Sequence, residues 1–498
     1  MKIKKNIESY KLSLLTSYAY NILSLVASIF ITRHIFKFFD NAEYGVFILV
    51  LESIMVFQVL DFGFTGGMLS FLSRELDNIK RINKIVSTLF YAQVIISLIA
   101  TAIALSLILN PSLLFQNVDV DNAVLKNAIV IAAFSLFITM ITKSISSILY
   151  ARRKIAGNNF ASIIALVIRF GSIFILLEHY PTIEFLIVVT LLTQLINFFQ
   201  SFYLVRKLEP QINFSLKDID FNTLKEVWKI SVWFALGGFS TLFIERFDNI
   251  LTGTIISVQA ITILVITRKF FEITKSFVFQ FNNNYRPYFG RMLGQGENRE
   301  ALSKFKNLSL ISVFLTCLVG GGIVLYNSWI IEMWVGLEKY GGLYLSLLLF
   351  FNLSLHAWKI TYRAFLSSNL IAKELAISSS LEGLFNLLLA YFLGLRYGIN
   401  GIVASTFISG VIVQFTAFLY IFRKYSIEVL SDFIKRNIAQ LALVLLTGYI
   451  ALVIATHIDT LVLRGLLWLL VMSLKLFVFI RIFFKEHTFR MVVKGKIV

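Results

Sequence analysis

Seven charged residues interrupt residues 243–280, a stretch that is otherwise apolar. They are Glu245, Arg246, Asp248, Arg268, Lys269, Glu272 and Lys275. The apolar run just before Arg268, residues 256–267, holds about a dozen residues, whereas a membrane-spanning helix needs roughly 20. We therefore expect one helix to continue through the charges, which places Arg268, Glu272 and Lys275 on a single face.

That face cannot contact lipid, because an isolated Arg or Lys inside a bilayer costs roughly 3 kcal/mol even on a lenient scale. Two interpretations stay open. Internal pairs, such as Arg268 with Glu272 or Arg246 with a neighbouring acid, would make the charges tolerable. Alternatively, the charges line a cavity that holds an anion. The second interpretation is favoured because about ten bases lie within the predicted spans and the acids there are fewer: Glu52, Asp61, Glu245, Asp248, Glu272 and Glu382.

Further basic residues lie deep in predicted helices. Lys143 and Lys359 are each about seven residues, or roughly 10 Å, from the helix end. Arg363 follows Lys359 by four residues, His356 precedes it by three, and Arg169 lies in another span. These side chains either extend to the membrane interface or line the same cavity as the first group.

Asp61 opens a glycine-rich segment, residues 61–67, near the end of the second predicted helix. Its glycines favour either a bend or close helix packing. A carboxylate inside a membrane can change its charge during transport, so Asp61 is a candidate ion or proton site. The candidate ion-coupling residues are Asp61, Glu245, Asp248 and Glu272. The candidate anion-binding residues are Arg246, Arg268, Lys269, Lys275, Lys143, Lys359, Arg363 and Arg169.

The composition requires helices that cross a membrane. Of 498 residues, 58% are hydrophobic and 15% are charged, and the mean hydropathy is +0.80. Long continuous apolar runs indicate an all-α polytopic bundle. We predict about 14 transmembrane helices, the first retained because it lacks a cleavage site. They cover residues 10–36, 44–71, 85–109, 125–150, 157–177, 183–206, 227–252, 257–280, 306–327, 341–366, 374–397, 400–423, 434–456 and 461–484.

The net charge of +18 is mostly a signal of topology. About 30 of the 46 basic residues fall in alternate loops and both termini, and about six fall in the opposite loops. We therefore expect both termini to be cytoplasmic and give nucleic-acid binding no weight. Motifs for ATP binding, metal ligation and acyl transfer are absent from the sequence, and Cys317 is a lone cysteine. We predict no enzyme, cofactor or metal.

Weak internal repetition suggests two halves. Lys11 and Lys229, Arg74 and Arg291, and Lys143 and Lys359 are separated by 216 to 218 residues, as expected of a duplicated transporter. We predict two pseudo-symmetric six-helix bundles, residues 1–206 and 227–425. A cytoplasmic linker, residues 207–226, joins them, and two extra helices with a basic tail occupy residues 426–498.

Three segments carry a resemblance to a known family. YGVF from Tyr44 and DFGFTGGMLSFLSRE from Asp61, together with RFDNILTG from Arg246, resemble bacterial polysaccharide transporters. These are O-antigen-type flippases of the multidrug/oligosaccharidyl-lipid/polysaccharide superfamily. The resemblance covers roughly the first 425 residues in layout. It implies two six-helix bundles around a central cavity, a MATE-like fold and alternating access.

The same resemblance implies the substrate and location. An undecaprenyl-diphosphate-linked oligosaccharide would cross the bacterial inner membrane, and the basic residues suit its diphosphate. Expected partners are this lipid-linked oligosaccharide, membrane lipids, H⁺ or Na⁺ as coupling ion, and other polysaccharide assembly proteins. Three alternatives stay open: a peptidoglycan lipid-precursor flippase, a multidrug exporter and an integral-membrane polysaccharide polymerase.

Overall fold

The computed structural model describes residues 2–74, 78–111, 121–152, 154–369 and 371–483. Within these ranges the chain forms helices and turns and no strand, which confirms the all-α prediction. The fifteen α-helices are α1 (Lys2–Ile35), α2 (Asn41–Met55), α3 (Phe64–Arg74), α4 (Ile79–Ser106), α5 (Asn122–Ala151), α6 (Ile155–Leu176), α7 (Ile183–Leu208), α8 (Phe221–Leu251), α9 (Val258–Gly294), α10 (Asn298–Val335), α11 (Gly342–Ser368), α12 (Ala372–Ser409), α13 (Phe415–Lys424), α14 (Leu430–His457) and α15 (Leu461–Phe483).

Ten helical segments of the described chain are long and apolar enough to cross a membrane. One of them, Lys373–Lys424, is 52 residues long and contains two of the predicted spans. The predicted spans outside these segments correspond to α8, α9 and α15. Helices α8 and α9 have 31 and 37 residues, so length does not exclude them; they carry the charged stretch with which the sequence analysis began.

The second predicted helix is not continuous. A 3-10 turn, Val56–Asp61, follows α2, and the chain then passes through Phe62 and Gly63, both with positive φ (48° and 73°), before α3 begins. The single helix predicted over residues 44–71 was therefore wrong. The bend and the close packing both occur, because a Cβ added at Gly67 would collide with Ser231 of α8.

Two other breaks separate helices near where the sequence predicted them. After α8 a π-helical turn, Thr252–Ile256, leads to Ser257, whose backbone is extended, and α9 begins at the next residue. Helix α12 is kinked at Gly398, where φ is +58°, a conformation that costs glycine little. This kink lies between the predicted helices 374–397 and 400–423.

Helix contacts divide the chain into two compact units. Unit 1 comprises Met1–Ile266 and Leu370–Phe418, and unit 2 comprises Thr267–Asn369 and Leu419–Val498. The predicted boundaries at residues 206, 227 and 425 were drawn from the internal repeat and the membrane topology, not from helix contacts, and they stay a prediction.

In unit 1, α8 packs along the helices of the N-terminal half. A Cβ at Gly45 of α2 would collide with the carbonyl of Val258, so the first residue of α9 lies directly against α2. Nearby, the Thr262 hydroxyl donates to the carbonyl of Asn41 at 2.7 Å. Small residues thus allow two backbones to approach closely, as is common between membrane helices.

The predicted linker, residues 207–226, is fastened to α4. The Ser87 hydroxyl donates to the carbonyl of Asn213 at 3.0 Å, and Tyr91 donates to that of Phe214 at 3.2 Å. At its end Asp220 caps α8, and the hydroxyl of Thr223 donates to its carboxylate at 2.6 Å. That hydrogen bond holds the pKa of the exposed Asp220 carboxyl below its usual value.

In unit 2, aromatic side chains pack against glycines, and these contacts join α14 and α15 to α10 and α11. Trp468 of α15 lies against Gly321 of α10, and its Nε1 donates to the carbonyl of Leu318 at 3.1 Å. Gly448 of α14 similarly receives Phe351 of α11. The three consecutive glycines of α10, residues 320–322, therefore allow close helix packing.

Candidate functional site

Helix α9 carries its charges without interruption. It runs as one helix of 37 residues from Val258, so the predicted continuation through the charges is confirmed. Arg268 Nε lies 2.8 Å from Glu272 Oε1, one turn further along. Lys269 and Lys275 are half-buried on the same helix. The internal pair proposed for Arg268 therefore exists, and it leaves Lys275 as the next charge on that face.

A second group of bases lies on α11, in the same unit. His356, Lys359 and Arg363 follow one another at i, i+3 and i+7, which places them on one helical face. Lys275 of α9, Lys359 and Arg363 are the charged groups that act on the His356 ring. Its Nε2 is buried and has no hydrogen-bond partner among the residues that the structure describes. We call these four residues the Lys359 set.

Arg246 pairs with an acid that the sequence analysis did not connect to it. Its guanidinium forms an ion pair with Glu52 of α2, 194 residues away in the chain. The pairing proposed with Glu245 or Asp248 is thus replaced by a contact between α8 and α2. Asp248 is buried on α8, and the Glu245 side chain lies outside the described part of the structure.

Lys143 and Asp61 are neighbours of this ion pair in unit 1. Lys143 Nζ donates to the Gln58 side chain, and it interacts electrostatically with both Asp61 and Arg246. The Thr65 hydroxyl donates to Asp61 Oδ1 at 3.0 Å. Together Glu52, Asp61, Lys143 and Arg246 form what we call the Glu52 set, which contains two acids and two bases.

The Glu52 set borders open space. Lys143 is exposed although the residues before and after it on α5, from Met140 to Ile145, are buried. The side chains of Arg246 and Glu52 are 29% and 23% exposed. These polar side chains are therefore partly accessible although the helices that carry them are apolar.

Arg169 belongs to neither set. It lies on α6, and the charged or titratable groups that act on it are the phenols of Tyr44 and Tyr20. Its Nε is buried without a hydrogen-bond partner. The structure therefore distributes the eight predicted anion-binding residues among Arg169, the Glu52 set, and α9 and α11.

A further polar group, on α12 and the turn after it, is absent from the predicted sites. Glu382 is 1% exposed and accepts a hydrogen bond from Gln414 Nε2 at 2.7 Å. One turn along α12, Asn386 Oδ1 accepts from the hydroxyls of Ser405 at 2.9 Å and Ser409 at 3.4 Å. Gln414 ends a π-helical turn, Gly410–Gln414, and such turns are frequent at functional sites.

The sequence contained a signal for this polar group. Glu382 and Asn386 are four residues apart, as are Ser405 and Ser409, and each pair falls on one face of an apolar helix. Among the described residues no group of three or more His, Cys, Asp or Glu side chains is arranged to hold a metal ion. Cys317 is buried.

No protein-family model matches the chain, and no curated protein matches it. Solved structures do match its fold. An inward-facing multidrug resistance MATE family transporter of the MOP superfamily aligns with a TM-score of 0.68 at 14% identity, over 83% of this chain and 99% of the transporter. The lipid II flippase MurJ, in an inward closed conformation, aligns with a TM-score of 0.66 at 17% identity, over 94% of this chain and 99% of the flippase. An outward-facing MATE transporter aligns with a TM-score of 0.60.

At these identities the likeness concerns the fold. The chain therefore has the all-helical fold that MATE transporters share with MurJ, which confirms the predicted architecture. Its ten apolar helices support a multi-pass membrane protein. The roles of individual side chains have to be argued from their chemistry.

Proposed function

We propose that the chain is a flippase that moves an undecaprenyl-diphosphate-linked oligosaccharide, of the O-antigen or capsule type, across the bacterial inner membrane. In this proposal both termini are cytoplasmic and transport proceeds by alternating access, driven by H⁺ or Na⁺. The partners are the lipid-linked oligosaccharide, membrane lipids and other polysaccharide assembly proteins. No enzyme activity, cofactor or nucleic acid is involved.

The observation that carries this proposal is the Lys359 set. His356, Lys359 and Arg363 share one face of α11, and Lys275 of α9 also acts on the His356 ring. A diphosphate has the negative charge and the acceptor oxygens that such bases bind, and Arg binds phosphate oxygens in pairs. We assign the diphosphate to this set and to Lys269 of α9, with the His356 Nε2 as an additional hydrogen-bonding group; Arg268, which pairs with Glu272, should contribute less.

The Glu52 set has a different role in this proposal. Its acids already accompany Arg246 and Lys143, so these two bases contribute less to binding an anion than the sequence suggested. Arg246 and Lys143 lie on α8 and α5, close to the acids of this set, and we propose that the set lines the substrate path without a net charge. Of the candidate ion-coupling acids, Asp61 belongs to this wall, and Glu245, Asp248 and Glu272 remain predictions.

Ion coupling also fits Glu382, a carboxylate that the predicted sites did not include. Glu382 is buried with Gln414, close in sequence to Asn386, and oxygen-rich groups suit a proton or a hard cation. We include Glu382 with the candidate ion-coupling residues.

A peptidoglycan lipid-precursor flippase is the second candidate. It is favoured by the alignment with MurJ, which covers 94% of this chain, against 83% for the first MATE transporter. The difference is about the size of two spanning helices, so MurJ accounts for more of the chain. A multidrug exporter is disfavoured by the bases of the Lys359 set, which would repel cationic drugs. A polymerase is disfavoured by the shortness of the predicted outward loops.

Vesicle flipping with two substrates tests the proposal. Purified protein in vesicles is given either a fluorescent undecaprenyl-diphosphate-linked oligosaccharide or the peptidoglycan lipid precursor, and movement between leaflets is measured. Faster movement of the first substrate supports the proposal, and exclusive movement of the second replaces it with the second candidate. In cells, deletion should deplete surface polysaccharide and accumulate lipid-linked repeat units. Unchanged surface polysaccharide without such accumulation would remove the proposal.

A further inference from the structure

The segment between α7 and α8 exposes large apolar side chains outside the predicted spans. Leu216 is 66% exposed, Ile219 43%, and Phe221, the first residue of α8, 82%. Single exposed apolar residues are ordinary on a protein surface, and on the spans they face lipid. Three of them close together in the predicted cytoplasmic linker, residues 207–226, form a patch of the kind that marks an interaction surface.

Hydrogen bonds fix the backbone from which these side chains project. The backbone N–H of Ser215 donates to Ser87 Oγ at 3.0 Å, and that of Asp220 donates to Thr88 Oγ1 at 2.9 Å. Earlier in the linker, Ile212 is 1% exposed and belongs to a core that residues of α4 also form. The linker therefore buries one apolar side chain in unit 1 and holds the later ones in the open.

Exposed bases accompany the apolar patch. Residues 206–229 contain four acids, of which Glu209 and Glu226 each pair with an arginine and Asp220 caps α8, which leaves Asp218. The same range contains five bases, all exposed and none in an ion pair with a described residue: Arg206, Lys207, Lys217, Lys225 and Lys229. The surface is therefore apolar and positively charged at once.

Aromatic rings hold two of these bases in place. The guanidinium carbon of Arg206 lies 5.2 Å from the ring centre of Phe202 and 5.3 Å from that of Phe214. Lys207 Nζ lies 5.5 Å from the ring centre of Tyr203. A cation over a ring keeps hydrogen-bond donors available, and a guanidinium binds phosphate oxygens in pairs. Both bases can therefore still contact a phosphate.

This combination matches the headgroup region of a bilayer. Segments that lie in the interface bury apolar side chains at the boundary with the acyl chains and place Lys and Arg on anionic headgroups. The linker is also next to the membrane, because it begins at the end of α7, an apolar helix long enough to span. A docked protein would cover an apolar patch as well, but exposed bases beside the end of a span favour lipid.

We propose that residues 206–229 form an interfacial anchor, which we call the linker anchor, that binds anionic phospholipid headgroups of the adjacent leaflet. The three apolar side chains enter the headgroup region, and the exposed bases contact lipid phosphates. The linker is then part of the membrane-bound body instead of a segment in water. This inference does not depend on the function proposed above, because it concerns the surrounding lipid and not the substrate.

Fluorescence quenching in vesicles tests the linker anchor. Full-length Cys317→Ser protein receives one new cysteine, by Leu216→Cys or Gln211→Cys, and a small dye is attached to it. Gln211 is an exposed polar residue of the same linker and serves as the matched control. We expect lipid that is spin-labelled in its acyl chain to quench the dye at Leu216, and aqueous iodide to quench it several-fold less than the dye at Gln211. Equal quenching of the two dyes by iodide would overturn the proposal.

The charge of the lipid separates an anionic headgroup site from a merely apolar contact. Spin-labelled phosphatidylglycerol should quench the Leu216→Cys dye more than spin-labelled phosphatidylcholine does, and salt should weaken this preference. Arg206→Gln and Lys217→Gln should each reduce it by up to about fivefold, which corresponds to the roughly 1 kcal/mol that one base contributes at an anionic surface. The control is Lys126→Gln near the start of α5, whose opposite end joins the linker through Arg152, and it should keep the preference. Equal quenching by the two lipids would contradict the anionic site.

A photoreactive side chain shows whether lipid or protein covers the patch in cells. Phe221 is replaced by benzoylphenylalanine, the cells are irradiated, and the captured species is identified by mass spectrometry. Capture of phospholipid supports the linker anchor, whereas capture of a protein, or of no lipid, overturns the lipid assignment. If the Leu216→Cys protein does not reach the membrane, Ile219→Cys replaces it in the quenching experiments, since its side chain belongs to the same patch.

Discussion

The Glu52 set of unit 1 and the Lys359 set of unit 2 place charge inside the membrane in different ways. In the first, Arg246 pairs with Glu52, and Lys143 lies beside Asp61. In the second, three bases act on one histidine. The first arrangement joins bases to acids on other helices, whereas the second places two bases on the same face of α11 as His356, with Lys275 of α9 acting on the same ring.

A count of charges does not distinguish bases that bind an anion from bases that stabilise the fold. An excess of bases within the predicted spans indicates an anion, but it does not say which bases contact it. Arg246 already accompanies the carboxylate of Glu52, so it should gain less from a phosphate than a base on the His356 face of α11. We therefore expect substitutions in the Lys359 set to impair binding, and substitutions in the Glu52 set to impair stability first.

The largest effect is expected for Lys359→Ala. Losing one charge-assisted hydrogen bond to a phosphate costs about 1.5–3 kcal/mol, so flipping of the lipid diphosphate should fall at least tenfold in the vesicle assay. Lys359→Arg, which keeps the charge, should retain part of the activity. Membrane abundance should match that of the wild type in both.

The control for Lys359→Ala is Arg396→Ala, which removes a base outside both sets and should flip normally. If Lys359→Ala also flips lipid at the wild-type rate, the Lys359 set has no role in transport, and the functional distinction between the two sets is wrong. Loss of flipping in Arg268→Ala as well would extend the anion site along α9.

A slightly smaller effect is expected for Glu382→Gln. The amide keeps the size of the side chain but removes its charge, so transport should lose its dependence on the ion gradient. We expect about a tenfold loss when a gradient is present and no loss without one. Glu374→Gln, in the first turn of the same helix, is the matched control. A Glu382→Gln protein that still responds to the gradient would return the coupling role to Asp61 or another carboxylate.

The fold was largely predictable from the sequence because helix length and hydropathy are local properties. The continuous α9 was indicated by the positions of its charges, and the kink of α12 at Gly398 lies between two helices that were predicted as separate spans. The break after Asp61 was not resolved, since residues 61–67 are compatible with a bend and with close packing. Only the positive φ of Phe62 and Gly63 shows that the chain turns there.

The site was predictable only in part, for a physical reason. Arg268 and Glu272 are one helical turn apart, so their pairing follows from helix geometry. The partner of Arg246 is Glu52, on a different helix, and no local rule connects them. Glu382 was counted among the interior acids, but its contact with Gln414 depends on how α12 packs against the chain that follows it.

The Glu52–Arg246 pair should reveal its role through a double-variant cycle. Glu52→Gln leaves Arg246 without its acid, and the protein should lose roughly 1–2 kcal/mol of stability, since the pair is about one quarter exposed. Glu52→Gln combined with Arg246→Gln should lose less than the two single variants together, with a coupling of about 1 kcal/mol. Denaturation in mixed detergent measures all four proteins. Additive losses would show that the pair does not stabilise α2 against α8.

The smallest effect is expected for Gly63→Ala, which tests how the Glu52 set is positioned. Gly63 has a φ of +73°, and an alanine in that conformation costs about 1 kcal/mol. The matched control is Gly171→Ala on α6, where an added Cβ would meet open space. Because alanine is the better helix former, this control should be neutral or slightly more stable than wild type. If Gly63→Ala is destabilised and also flips lipid more slowly, the break sets the position of Asp61 and the balanced set contributes to transport as well as to stability. If stability falls and flipping is unchanged, the position of the Glu52 set matters for stability and not for transport, as the contrast with the Lys359 set predicts.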